Sequence, residues 1–376
     1  MKNIYLTLLK MAPALTCPVI ATVTGTVGST PQKPGSSALF GNDGLITGTV
    51  GGGVVEGKVQ KFAKICGRTK ESGYFHFELD KDISESEEAI CGGRISILID
   101  ADPLKHESVF KEVEKSLAER EPGVLITKVT VNKERTVQIA RYWMTGSNKP
   151  DLPASIPEKI KPAITDMLSS ANPDDYRQVE ILIPGQGYSE DFYLEPVIPL
   201  PKLVIAGAGH IGKALSYLGK MLDFEVTVID DRREYANNDN IPDADHLVVK
   251  NIGEAMVEIE KVADTYIVIV TRGHKDDAGA LKPCIGSGAA YTGMIGSKGK
   301  VAKMHSEFIR MGWATEEQWS RIYAPIGLDI KSKTVEEIAV SIAAQLVLVK
   351  NGLRQPVKIT TPHNTRRSPD TSDPKK

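Results

Sequence analysis

The sequence predicts an α/β protein, with a carboxyl-terminal Rossmann-like doubly wound parallel sheet behind an N-terminal β-rich α+β domain. Three observations predict it. Residues 202–231 read as strand, glycine turn, helix and a second strand ending in acid. The alternation of strand and helix then continues to residue 352. Before residue 100, by contrast, short strands are broken by glycine clusters.

Leu203-Val204-Ile205-Ala206 is a short apolar run of the kind a parallel strand buried on both faces requires. Gly207, Gly209 and Gly212 follow as G-x-G-x-x-G. The first lets the chain turn, the second lets backbone approach a ligand, and the third lets helix and sheet pack closely. Ile211, Leu215, Leu218 and Leu222 recur at helical spacing, so they face the sheet. Val226, Val228 and Ile229 form the next strand, which delivers Asp230 to the expected place of a ribose hydroxyl. Further strands are expected at 247–249, 266–270 and 290–294. Thr334 with Glu337 reads as a capping box opening a last helix, whose apolar face carries Ile338, Ile342 and Leu346 and which ends at Asn351-Gly352.

Strands in the first block are expected at 19–25, 37–40, 45–49, 74–79 and 94–99, with a helix at 54–65. A middle block carries a helix at 104–117 and strands at 123–131, 136–142, 178–183 and 191–196. The domains so read are a glycine-rich domain over 1–145, an irregular connection with strands over 146–200, the Rossmann-like domain over 201–352 and a disordered tail over 353–376.

Forty-six basic and 48 acidic residues leave a net charge of −2, with no basic excess to suggest nucleic acid, so no nucleic-acid partner is expected. Apolar runs fall short of a membrane span, and no signal-peptide pattern opens the sequence. Cys17, Cys66, Cys91 and Cys284 are scattered, without zinc-ligand spacing. A reduced, cytoplasmic setting is expected.

In an open parallel sheet, ligands bind beyond the carboxyl ends of the strands. Three segments fall there: the glycine turn with His210, the Thr271-Arg272-Gly273-His274 loop, and Gly296-Ser297-Lys298. Arg272 suits bidentate phosphate binding, His274 proton transfer, and Ser297 with Lys298 an anion cradle. In the first block, Gly51, Gly52 and Gly53 precede a helix and leave N–H groups unobstructed for a phosphate or carboxylate, with Glu56 close by. Cys91 lies between acids and Gly92-Gly93; glycine exposes a thiol, whereas a lone cysteine is by default a small buried apolar residue.

Taken together, these segments resemble the XdhC/CoxI family of xanthine dehydrogenase accessory proteins. The resemblance rests on Gly28-Ser29-Thr30-Pro31, Gly48 through Glu56 and Cys91-Gly92-Gly93 at the amino end. At the carboxyl end it rests on Gly207–Gly212, Asp230-Asp231-Arg232, Thr271–His274, Gly293–Lys298 and Pro325–Ile330. One departure is Ala89-Ile90 before the cysteine, where the family often has glutamine.

The resemblance implies a cofactor chaperone rather than an enzyme that turns over a metabolite. It would bind the molybdenum cofactor (molybdopterin), protect it, support its sulfuration with a cysteine desulfurase, and insert it into a molybdenum hydroxylase apoenzyme. Under that implication Cys91 is a thiolate contact to molybdenum or a sulfur relay. The alternative is an NAD-dependent oxidoreductase that binds NAD, or another nucleotide, at Gly207–Gly212 and Asp230. A scaffold bridging hydroxylase and sulfur donor is a third reading. The small amino block is compatible with a homodimer.

Overall fold

The structure is a computed structural model and describes residues 3–79, 93–132, 134, 136–147, 156–170, 175–182 and 189–352. Two compact units divide between Pro199 and Leu200.

The first unit opens with α1 (Ile4–Met11), whose start is capped by the Asn3 side chain accepting from the amides of Tyr5 and Leu6. There follow β1 (Val19–Gly28), β2 (Ser37–Gly41), β3 (Gly44–Gly48), α2 (Gly53–Thr69), β4 (Gly73–Glu78) and β5 (Gly93–Asp100). These strands form an antiparallel sheet in the order β3-β2-β1-β5-β4. Alternation along β1 and β5 sends Val19, Ala21, Val23, Ile95, Ile97 and Ile99 to one face, where Val55, Val59 and Ala63 of α2 cover them.

The unit continues through α3 (Glu107–Ala118), β6 (Gly123–Val131), β7 (Val137–Thr145), α4 (Lys161–Ser170), β8 (Arg177–Leu182) and β9 (Ser189–Val197). A second antiparallel sheet runs β7-β6-β9-β8. Ile164 and Met167 of α4 pack on Val124, Ile126, Phe192 and Leu194 of that sheet. The sequence reading has no helix here, although Ile156, Ile160, Ile164 and Met167 are all buried and follow a helical spacing.

The second unit is doubly wound. Its elements are β10 (Lys202–Ala206), α5 (His210–Met221), β11 (Glu225–Asp230), β12 (His246–Val249), α6 (Ile252–Glu258), β13 (Thr265–Ile269), α7 (His274–Leu281), β14 (Tyr291–Met294), α8 (Lys298–Arg310), α9 (Glu316–Ser320) and α10 (Val335–Lys350). All pairings in its sheet are parallel, in the order β12-β11-β10-β13-β14. Leu203 and Ile205 join one core with α5 and α10, whereas Val204 and Ala206 join the core on the opposite face. Both faces of β10 are therefore buried, which is why its sequence is a continuous apolar run rather than an alternating one. The capping box at Thr334 and Glu337 is formed and opens α10. Among the described residues, no helix is long and apolar enough to cross a membrane.

Candidate functional site

In the second unit, strand order reverses direction between β10 and β13, and ligand crevices open at such a switch point beyond the carboxyl ends of the strands. The glycine turn and the Thr271–His274 loop leave those two neighbouring strands. The Gly207 amide donates to Ile229 O at 2.8 Å, and its φ of +116° excludes most side chains. A Cβ at Gly207 would stand 2.6 Å from Val270 O, and one at Gly212 only 1.9 Å from Gly207 O. Gly209 differs. Its φ is −73°, and a Cβ there would meet nothing within 4 Å. It caps α5 and borders open space, with exposed His210 beside it.

Asp230 ends β11 with only 1% of its surface exposed. Its carboxylate accepts from the Ala208 amide at 2.8 Å, from the Arg232 amide at 3.0 Å, and from Arg232 Nε and Nη2 at 2.9 Å each. Burial pushes this carboxyl up, but the hydrogen bonds from Arg232 and Ala208 outweigh it and hold the group below its ordinary value. Asp230 thus clamps the glycine turn to β11, and its neighbour Asp231 is the more exposed acid. The Arg232 guanidinium also stacks 3.7 Å from the centre of the Tyr235 ring.

Arg272 is exposed and lies 3.5 Å from Asp231, so it reaches across from the β13 loop to the β11 loop. His274 opens α7 with its Nε2 2.8 Å from Glu307 of α8. Beneath it, fully buried Asp277 accepts from Thr271 Oγ1 at 2.6 Å and pairs with Lys300. The sequence reading gave no site role to Asp231, Asp277, Lys300 or Glu307. Ser297 caps α8 by accepting from the Lys300 amide at 3.3 Å, and Lys298 is exposed. In the Pro325–Ile330 segment, hydrogen bonding from Lys331 holds the Asp329 carboxyl below its ordinary value. That segment is held by buried Gln345, which accepts from the Gly327 amide at 2.8 Å and from Tyr291 Oη at 2.6 Å.

In the first unit, Gly51, Gly52 and Gly53 have φ of +137°, +67° and +53°. A Cβ at Gly52 or Gly53 would meet nothing within 4 Å, whereas one at Gly51 would press on Pro31 at 2.9 Å. Hence the Gly28–Pro31 loop seats against the triple glycine. Gly93 joins the same end of the sheet: it pairs with Gly28, and a Cβ on it would stand 2.6 Å from Ser29 O. Glu56 turns back into the loop, accepting from Thr49 Oγ1 at 2.7 Å. Cys91 and Gly92 lie outside the described residues. Burial pushes the Cys284 thiol up to about 12 and raises that of Cys66, so both are poor nucleophiles. Among the described residues, no cluster of histidine, cysteine and carboxylate groups is arranged to hold a metal ion.

The fold and these turns define a two-unit α/β protein whose second half is of the Rossmann type. The chain belongs to the XdhC and CoxI family: that family's model matches residues 17–78, and a model for the XdhC Rossmann domain matches residues 203–346. It is 24% identical over 333 residues to a Bacillus subtilis (strain 168) protein named as a probable subunit of xanthine dehydrogenase, covering 88% of this chain and 92% of the relative. It is 32% identical over 152 residues to Escherichia coli (strain K12) YqeB, a match spanning 40% of this chain and 28% of YqeB. A crystal structure described as a xanthine dehydrogenase from Bacillus halodurans shares the fold, with a TM-score of 0.71 at 20% identity over 95% of this chain and 98% of that one.

Proposed function

We propose that this protein is a cytoplasmic carrier of the molybdenum cofactor that protects it, supports its sulfuration with a cysteine desulfurase, and inserts it into the apoenzyme of a xanthine dehydrogenase-type molybdenum hydroxylase. One observation carries the reading beyond family membership. Gly52 and Gly53 adopt backbone that L side chains resist, and both face open space at the start of a 17-residue helix. A turn alone needs one such glycine. Two open ones beyond the packed Gly51 fit a seat for the phosphate of a pterin, whose charge the helix start favours. Cys91, close in sequence to Gly93 at the same sheet end, would supply a soft thiolate toward molybdenum or relay sulfur.

Anaerobic titration with isolated molybdopterin-type cofactor tests the reading. One cofactor per protomer is expected. Gly53→Val should weaken binding about tenfold or more, equivalent to ~1.4 kcal/mol. Cys91→Ala should reduce affinity or sulfuration. Full client activation with either variant contradicts the reading of that residue.

A second reading, an NAD-dependent oxidoreductase, draws on the strand order and on the open space at Gly209. The engagement of Asp230 by Ala208 and Arg232 weakens it, because a ribose hydroxyl meets a carboxylate already satisfied. Calorimetry with NAD and NADP separates the two: tight binding with spectral reduction favours the oxidoreductase.

A further inference from the structure

The outer face of α2 is cationic. At helical spacing Val54, Lys61, Lys64, Ile65 and Arg68 fall on one side of it, opposite the buried Val55, Val59, Ala63 and Cys66. Lys61, Lys64 and Arg68 are exposed and pair with no acid among the described residues. The one acid in α2, Glu56, is turned back onto Thr49. The lysines of α3 differ: Lys111 lies 2.7 Å from Glu107, and Lys115 4.0 Å from Glu119. Even buried Arg141 on β7 has an acid, Asp100, at 3.1 Å.

Two features set this face apart from an ordinary solvated one. Lys61 and Lys64, and then Lys64 and Arg68, stand three and four residues apart, where like charges repel and weaken a helix. Arg68, in the last turn, answers the helix dipole, whereas Lys61 and Lys64 at mid-helix do not. Ile65 lies between these cations with 57% of its surface exposed, and Val54 at the helix start is 37% exposed. An exposed apolar side chain among unpaired cations suits a contact with an acidic partner, its centre desolvated and its charges at the rim.

We infer that this face of α2 docks an acidic protein surface, and that on the carrier reading, on which this last step rests, the surface is that of the cofactor-free molybdenum hydroxylase. The helix starts at the glycine turn proposed to seat the cofactor phosphate, and Lys61 lies about 12 Å along it. A client held there is next to the cofactor it receives. Complementary charge speeds encounter, and burial of Ile65 slows release. A nucleic acid or an anionic bilayer fits less well. The chain carries a net charge of −2, and α2 turns its apolar side into the sheet rather than outward.

Surface-plasmon binding of the full chain to the cofactor-free hydroxylase of its own organism tests the face, with Lys61→Glu/Lys64→Glu as the main variant. Lys64→Glu puts an acid four residues before Arg68, an attractive spacing, so α2 keeps its fold. The association rate should fall about tenfold or more at low salt, and the gap should narrow at high salt. Ile65→Ala should raise the dissociation rate, whereas Lys111→Gln on α3 should change neither rate. The double variant should still bind isolated molybdopterin-type cofactor with wild-type stoichiometry. If wild type binds that cofactor but associates with the hydroxylase no faster than the double variant, this inference is overturned and the carrier reading stands. Tighter binding of wild type to a DNA duplex or to phosphatidylserine vesicles, or a dimer that the double variant dissolves, would give the face another occupant and overturn it too.

Discussion

Gly51–Gly53 in the amino unit and Gly207–Gly212 in the carboxyl unit both precede a helix, yet different forces hold them. Gly52 and Gly53 touch nothing that a Cβ would strike, and their positive φ alone resists substitution. Gly207 and Gly212 are held by close packing against Val270 O and Gly207 O, and Gly209 is held by neither conformation nor contact. Glycines explained by packing report on the fold. Those with open space around them report on what approaches from outside, which makes Gly52, Gly53 and Gly209 the informative positions.

That contrast sets the size of the expected effects. Gly212→Ala should be the most damaging, since a Cβ 1.9 Å from Gly207 O forces α5 off the sheet; overpacking of this kind costs about 3 kcal/mol in chemical denaturation. Asp230→Asn should follow at about 2–3 kcal/mol, because it loses the charge that Arg232 and the Ala208 amide address. Its pH signature has a definite sign. The folded value lies below the ordinary 3.8, so the contribution is present above that pH and is lost as pH falls through the folded value. Wild type should therefore lose its advantage over Asp230→Asn in acid, and an advantage unchanged in acid would contradict the clamp.

Gly52→Ala and Gly53→Ala should each cost about 1 kcal/mol, through left-handed backbone alone. Asn, which tolerates that region, should cost less than Ala at both positions. Gly209→Ala should be the mildest, within about 0.5 kcal/mol, since its φ is ordinary and its Cβ is free. Any ligand that reaches this turn should nonetheless bind the variant more weakly. If Gly209→Ala destabilises like Gly212→Ala, the distinction between packed and open glycines fails.

Much of the second unit was legible because its information is local. A buried apolar run, three glycines at fixed spacing and a capping box each occupy a few consecutive residues. Even so, Asp230 shows the limit of such a pattern. Its position at the strand end is readable, but its capture by the Ala208 amide depends on how the turn folds back.

The first unit was harder, since its organisation depends on long-range pairing. No local pattern announces that Gly93 meets Ser29, or that Pro31 meets Gly51. Helix α4 went unread although Ile156, Ile160, Ile164 and Met167 recur at helical spacing, because a proline-containing stretch precedes them. Arg141 did leave a trace. It occupies the period-two slot shared by Val137, Ile139 and Trp143 on β7, where an inward apolar residue is the rule. A charge in that slot marks an interior polar site, but its partner Asp100 lies 41 residues away and only the fold reveals it.

The carrier account is tested most directly by equilibrium binding of isolated molybdopterin-type cofactor to the whole chain, wild type beside Gly53→Asn and Gly53→Val. The account predicts one cofactor per protomer for wild type, nearly the same affinity for Asn, and a loss of about tenfold or more for Val, with all three proteins folded. Equal affinity in all three would remove the amino-terminal glycine turn from the site, and no binding by wild type would contradict the carrier itself.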